Sequence, residues 1–314
     1  MAAAHPEVDF RFCYRPHRYF RSWRETLPPN ARRSLLAAPL GARGAELFHG
    51  LNQRLPDMAL KRPVATFHDL FVMTAEYSTP EFRARFTAQA RDAASRAAAV
   101  IAVSEFTRRQ VIERLGVEPQ RVHVVHHGIR DLGVAGGRRE RIILTVGAVQ
   151  KRKNIVRLVE AFETVNPDWR LVLAGSAGYG SEEILARIAS SRAVSRISVL
   201  GYVPESELAG WYGRCSIFAF PSLDEGFGMP VLEAMAAGAP VLTSDRSALP
   251  EVAGDAALLV DPGDGEAIGK ALRDLTQSED LRRDLARRGS LRAQRFTWEK
   301  AVRETWEVYR QVLG

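Results

Sequence analysis

Short apolar runs alternate along the chain with stretches whose apolar residues recur at helical spacing, the pattern of parallel sheets covered by helices. In the first part the runs fall at 46–50 (ELFHG), 63–69 (PVATFHD), 99–104 (AVIAVS) and 122–128 (VHVVHHG), with helices predicted over 80–97 and 105–115. A polar, glycine-rich break, IRDLGVAGGRRER at 129–141, reads as an interdomain linker. A second series of runs lies at 141–147, 169–175, 197–201, 217–220, 240–244 and 256–261, and the chain closes on helices near 264–276, 279–293 and 297–313. The division expected is a first domain over 1–131, a linker over 132–140, a second domain over 141–296, and a last helix, 297–314, packing back toward the first domain. Two doubly wound α/β domains that face one another leave a cleft at the carboxyl ends of both sheets, where ligands of such folds bind.

Within this frame, PSLDEGFGMPVLEAMAAG at 221–238 sets two carboxylates, Glu225 and Glu233, around a predicted helix start. Gly226 and Gly228 let the backbone approach a ligand, and Pro230 suits a first helical position. The helix expected from about Pro230 to Ala237 turns its free N–H groups and positive dipole end toward any phosphate lying across the Gly-Phe-Gly turn. A surface turn before a core helix is the plainer reading of the same residues. After the run RIILTVG comes AVQKRKN at 148–154, whose Arg152 and Lys153 precede another helix start. Fixed cations there suit a diphosphate and its charge as a leaving group; a solvated basic loop is the alternative. In the first part, TFHDL ends a predicted strand with His68 and Asp69, and His68 reads equally as a packing residue or as a contact to a sugar hydroxyl or acceptor. His49, His126 and His127 also end strands, without metal-ligand spacing.

Composition narrows the classes. No run of 18 or more apolar residues occurs, so no membrane-spanning helix is expected. The start, MAAAHPEV, lacks the features of a secretory signal, and two cysteines, Cys13 and Cys215, are too few for a disulfide framework, which fits a cytoplasmic protein. The first 140 residues carry 22 Lys and Arg against 14 Asp and Glu, whereas the remainder carries 22 against 23, so the net charge of +7 belongs to the N-terminal part. A basic lobe suits anionic lipid headgroups or a phosphate-linked acceptor. Its densest patch, FRFCYRPHRYFRSWRE at 10–25, alternates arginine with aromatics, as at a membrane interface or on a solvated arginine-rich surface. No nucleic-acid-binding pattern accompanies it. LVLAGSAGYG spaces its glycines G-x-x-G-x-G, which argues against a dinucleotide-dependent oxidoreductase.

Three segments, TVGAVQKRKNIVRLVEAF, GYVPESELAGWYGRC and DEGFGMPVLEAMAAGAPVLTSDRSALPEVAG, resemble retaining glycosyltransferases of the group 1 / family 4 type, and most closely mannosyl- and rhamnosyltransferases. The resemblance implies the GT-B architecture, two facing Rossmann-like domains with a nucleotide-diphosphate sugar between them. It gives Arg152 and Lys153 the diphosphate, Glu225 the sugar hydroxyls, Glu233 the ribose, His68 a place at the reacting sugar, and the backbone around Tyr202 and Val203 the base. Gly147 and the backbone of Gly226, Phe227, Gly228, Met229, Pro230 and Val231 would meet the sugar and phosphates. Many relatives carry an arginine where this chain has Ala148, which shifts the diphosphate further onto Arg152 and Lys153. HPEVDFRF resembles the relatives' second strand, so the N-terminal domain is expected to lack about one βα unit, and the exposed edge suggests a homodimer. The reaction that the resemblance implies is retaining transfer from GDP-mannose or a similar donor to a glycan or lipid-linked acceptor, with no cofactor and no metal, since no Asp-x-Asp pair is present. A catalytically impaired sugar-nucleotide-binding or scaffold protein is the alternative.

Overall fold

The computed structural model describes all residues except 37–40, 131 and 134–137, so residues 134–137 of the predicted linker lie outside the described residues. Among the described residues the strands are β1 (Phe10–Tyr14), β2 (Ala31–Leu35), β3 (Phe48–Gly50), β4 (Pro63–Phe67), β5 (Ala99–Ala102), β6 (Val122–Val124), β7 (Glu140–Val146), β8 (Arg170–Ala174), β9 (Ile197–Gly201), β10 (Cys215–Phe220), β11 (Val241–Ser244) and β12 (Ala257–Val260). The helices are α1 (Pro16–Tyr19), α2 (Phe71–Thr74), α3 (Pro80–Arg96), α4 (Glu105–Leu115), α5 (Ile155–Phe162), α6 (Ser181–Ala189), α7 (Glu205–Arg214), α8 (Met229–Ala236), α9 (Leu249–Ala253), α10 (Gly265–Gln277), α11 (Glu279–Ala293) and α12 (Trp298–Leu313). Glu140, which its polarity assigns to the linker, already pairs in β7.

The second sheet runs β12-β11-β10-β7-β8-β9, all parallel. The chain therefore starts at the centre, winds outward one way through β9, and returns through β10 to wind the other way. Such a reversal opens a crevice between the first strands of the two halves, here β7 and β10. Both faces are covered, by a cluster around Leu144, Phe218, Leu232 and Met235 on one side and by one around Ile143, Leu158, Phe162 and Leu171 on the other.

In the first domain β3-β4-β5-β6 form a parallel four-stranded sheet. Alternation along β4 and β5 sends Ala65, Phe67, Val100 and Ala102 toward Phe86, Ala90 and Val111 of α3 and α4. Val64, Ala99 and Ile101 face the other way, onto Ala301 and Val308 of α12, the last helix of the chain. Helix α4 is bounded chemically. The Ser104 hydroxyl accepts from the Thr107 N–H at its start, and Gly116 takes a left-handed φ of 67° at its end. Strands β1 and β2 pair only with each other, in parallel, so Phe10–Tyr14 stands outside the main N-terminal sheet.

Candidate functional site

Two loops meet at the crevice between β7 and β10. The loop after β7 closes in a tight turn over Lys151–Lys153, and Asn154 comes next at φ 57°, a left-handed conformation asparagine tolerates. The Asn154 amide donates to the carbonyls of Pro221 (3.0 Å) and Pro262 (2.7 Å), which ties this loop to the ends of β10 and β12. Arg152 and Lys153 are thereby carried beneath Glu225. Nη1 of Arg152 lies 2.6 Å from Oε2 of Glu225 and Nζ of Lys153 lies 2.6 Å from Oε1. Arg152 also donates to the Asp224 carbonyl and stacks 4.2 Å over Phe71 of α2, while Lys153 sits 4.4 Å over Phe220.

All three charges are buried. Burial alone would raise the Glu225 carboxyl, but Lys153 and then Arg152 outweigh it and hold it below the ordinary range. Burial draws the Lys153 ammonium downward, with Glu225 pulling against it. We read the trio as fully ionised on its geometry, two cations bracketing one carboxylate, with a net charge of +1. Arg152 Nε is buried and has no hydrogen-bond partner among the described residues. An anion entering here finds two cations already desolvated, which is where their field is strongest.

Above the trio, Gly228 (φ 111°) caps α8. A Cβ at Gly226 would stand 1.8 Å from the His68 carbonyl oxygen, so only glycine lets this loop touch the first domain there. The Gly226 carbonyl accepts from the hydroxyls of Ser104 (2.6 Å) and Thr107 (3.1 Å). Phe227 is buried against His127, with ring centroids 5.2 Å apart at 89°, so its side chain packs and only its backbone faces the crevice.

His68 reaches the cleft with both ring nitrogens engaged. Nε2 lies 2.8 Å from the Leu51 carbonyl and must donate to it, so Nδ1 accepts from Nε2 of His127 at 3.2 Å. Burial, then the neighbouring His68 and His126, push the His127 imidazole down to about 4, so it stays neutral. A sugar hydroxyl engages Nε2 of His68 only by displacing Leu51. Glu233 accepts from the buried Tyr212 hydroxyl at 2.7 Å, which fixes one of its carboxylate oxygens. Tyr202 is 76 % exposed just beyond β9 and Val203 is half-buried beside it. The remaining motif positions, Gly147, Met229, Pro230 and Val231, line the β7 end and the first turn of α8.

Thr74, Asp224 and Glu251 carry no local sequence signal for their roles, and Asp69 shows only as the neighbour of His68. Asp69, raised to about 6 by burial and by Glu225 against the pull of Arg152, stands among the charges of the trio. Thr74 of α2 donates to Asp224 Oδ2 at 2.7 Å. Glu251 of α9 accepts from the N–H groups of Glu105 (2.9 Å) and Phe106 (3.3 Å) at the start of α4 and lies 2.7 Å from Nε2 of His126, so it joins the two domains. The side-chain partners of Thr74 and Glu251 are 150 and 125 residues away, a distance no spacing motif spans. His49 belongs to packing: its nitrogens lie 2.6 Å from the Tyr309 hydroxyl and 2.7 Å from the Thr66 hydroxyl, pinning α12 to the sheet. Among the described residues no group of three His, Cys, Asp or Glu side chains is gathered as a metal site.

Comparison with known proteins bears on the family and the fold. The O-antigen chain mannosyltransferase B of Escherichia coli is 30% identical over 282 residues, which cover 84% of this chain and 74% of that protein. A serotype-specific mannosyltransferase of the same organism, WbdA, is 29% identical over 238 residues, 69% of this chain but only 29% of its own length. Among solved structures, the sucrose-phosphate synthase of Thermosynechococcus elongatus superposes with a TM-score of 0.70 at 23% identity, over 85% of this chain and 73% of that one, and so shares the fold. Residues 136–292 match the family model of glycosyl transferases group 1 and residues 4–131 that of glycosyltransferase family 4. The chain belongs to the group 1 / family 4 glycosyltransferases and has their two-domain GT-B fold.

Proposed function

We propose that the chain is a retaining, metal-independent transferase that moves a mannosyl or similar hexosyl group from a nucleotide-diphosphate sugar, GDP-mannose first, to a glycan or lipid-linked acceptor in surface polysaccharide synthesis. The observation that carries this reading is the Arg152–Glu225–Lys153 trio, buried at the strand reversal beneath α8 and across from His68. The names of the Escherichia coli relatives, mannosyltransferases of O-antigen and serotype determination, support the sugar and the product class.

In this mechanism the donor diphosphate takes Arg152 and Lys153 from Glu225, which frees the carboxylate for the sugar hydroxyls. The C1–O bond to the diphosphate breaks as the acceptor oxygen attacks C1 from the same face, and the acceptor proton passes to the departing phosphate oxygen. The two cations and the N–H groups at the start of α8 stabilise the charge on the leaving group, the task a metal performs elsewhere. Glu233, held by Tyr212, receives the ribose, and residues near Tyr202 and Val203 receive the base. The segment 1–131 supplies the acceptor side and 141–296 the donor side.

Phe20 and Trp23, 80 % and 64 % exposed on the arginine-rich segment after β1, support peripheral contact with an anionic membrane. No helix among the described residues is long and apolar enough to cross one. The test is a thermal-shift panel of nucleotide sugars, in which the true donor raises apparent stability by RT ln(1 + [L]/Kd). Transfer with that donor is then measured in the presence of a chelator, with the product anomer read by NMR. Inversion at C1, or activity abolished by the chelator and restored by a divalent ion, would sink the mechanism.

A further inference from the structure

A second charged site lies wholly in the first domain. A cleft of about 470 Å³ opens between the end of α2, one face of α3 and α4, and Arg83, Arg91 and Arg114 line it together with Thr74 and Thr87. Residues 83, 87 and 91 fall at intervals of four along α3, so two guanidinium groups and a hydroxyl share one stripe. The arginines are only partly neutralised. Arg83 meets the exposed Glu76 and donates to the Ser78 carbonyl, each at 3.4 Å, Arg114 donates to the Met73 carbonyl at 3.3 Å and is felt by the Asp224 carboxylate, and Arg91 has no hydrogen bond or ion pair among the described residues. Like charges brought to one concavity repel unless an anion occupies it.

The cleft adjoins the transfer site. Thr74, in its wall, donates to Asp224 Oδ2 at 2.7 Å, and Asp224 immediately precedes Glu225. The donor diphosphate is already assigned to Arg152 and Lys153, neither of which lines this cleft. An anion bound beside α3 therefore belongs to the other substrate. Three guanidinium groups and a threonine hydroxyl match the several oxygens of a phosphoryl group better than the two of a carboxylate.

We propose that Arg83, Arg91 and Arg114 form a binding site for a phosphoryl group carried by the acceptor. The inference rests on the transferase reading for its substrate, but its test needs no turnover. Inorganic phosphate binding is monitored by ³¹P NMR in the wild type, in the double variant Arg83→Gln/Arg91→Gln, and in Arg152→Gln as a donor-site control. Both substituted arginines of the double variant are on the surface of α3, and circular dichroism checks that it is folded. Loss of two charge-assisted contacts weakens affinity by about tenfold or more, and such a fall in the double variant supports the proposal whatever Arg152→Gln does. Unchanged binding in the double variant, or no saturable binding by the wild type, overturns it.

Competition then names the source of the phosphoryl group. Displacement of phosphate by mannose 1-phosphate points to a soluble acceptor and displacement by a prenyl phosphate in detergent to a lipid-linked one; either supports the site. Glucuronate competing as well as both overturns the preference for phosphoryl over carboxylate. A transferase that works on a neutral acceptor, with no phosphate bound beside α3, would end this proposal and leave the transferase reading standing.

Discussion

The two domains solve the same architectural problem with unequal means. The C-terminal six-stranded sheet carries a complete core on each face, built from its own helices, and its site residues are fixed by short links such as Asn154 to Pro221 and Pro262. The N-terminal four-stranded sheet is covered on one face only by borrowing α12 from the far end of the chain. Its contribution to the cleft hangs on contacts with the other domain: Ser104 and Thr107 to Gly226, Thr74 to Asp224, and the start of α4 to Glu251. The C-terminal half is a self-supporting pocket, whereas the N-terminal half owes its shape to its neighbour.

The largest effect that would separate the halves comes from the donor side. Lys153→Ala removes one preorganised cation and should lower turnover about a hundred- to a thousandfold with little change in thermal stability; steady-state kinetics beside a melting curve checks both. Normal turnover would place the leaving group elsewhere.

Next in size is an acid effect centred on the N-terminal half. Burial lowers His49 and His127 to about 4 from an ordinary 6.5, so the unfolded chain binds protons there that the folded chain refuses. The stability they represent is present above pH 6.5 and is lost as pH falls toward 4, roughly 3 kcal/mol for each histidine on these values. Asp69, raised to about 6, acts in the opposite sense, since its protonated form is favoured in the fold and that contribution fades as pH rises through 6. Two histidines outweigh one carboxyl, so urea midpoints should fall between pH 6.5 and 4, and less steeply in His49→Gln. A midpoint flat over that range would mean these rings are hydrated.

Gly226→Ala tests the join itself. Its methyl would stand 1.8 Å from the His68 carbonyl, and relieving the clash should cost about 1–3 kcal/mol while parting the domains locally. Scattering would show a larger radius of gyration; an unchanged radius with full activity would make the contact incidental. The smallest effect expected is Tyr212→Phe, which removes one hydrogen bond to Glu233 and should weaken donor binding by a few-fold, on the order of 0.5–1.5 kcal/mol, while kcat stays near its original value. A drop in kcat with unaltered donor affinity would assign Glu233 to the reacting sugar instead.

How much of the structure is legible in the chain depends on the range of the interactions. The helical pattern over 105–115 matches α4, Glu105–Leu115, because Ser104 and Gly116 mark its ends chemically. Strands β7 to β12 lie along their apolar runs, and the strand reversal brings Arg152, Lys153 and Glu225 together from loops that the pattern places at strand ends. The ion pairing among them is not legible, since the resemblance gives the carboxylate and the cations separate ligand roles. Nor does polarity alone tell that His49 pins α12 and that His127 faces His68, for those choices are made by residues 59 to 260 positions away. The detached pair β1 and β2 has the same origin: Phe10–Tyr14 is an acceptable strand locally, and only the tertiary arrangement decides which sheet it joins.

The placement of α12 has a consequence for how the protein is made. A ribosome delivers the first sheet early, yet the strip formed by Val64, Ile101 and Val125 stays bare until Ala301 and Val308 have emerged. The domain synthesised first is thus the last to be finished, after the second has had time to fold on its own. During that interval a nascent chain offers a greasy strip beside unpaired strand edges, the kind of surface that holding chaperones recognise. Stalled chains ending before Trp298 should therefore be cut by protease within residues 48–124 and spared within 140–260.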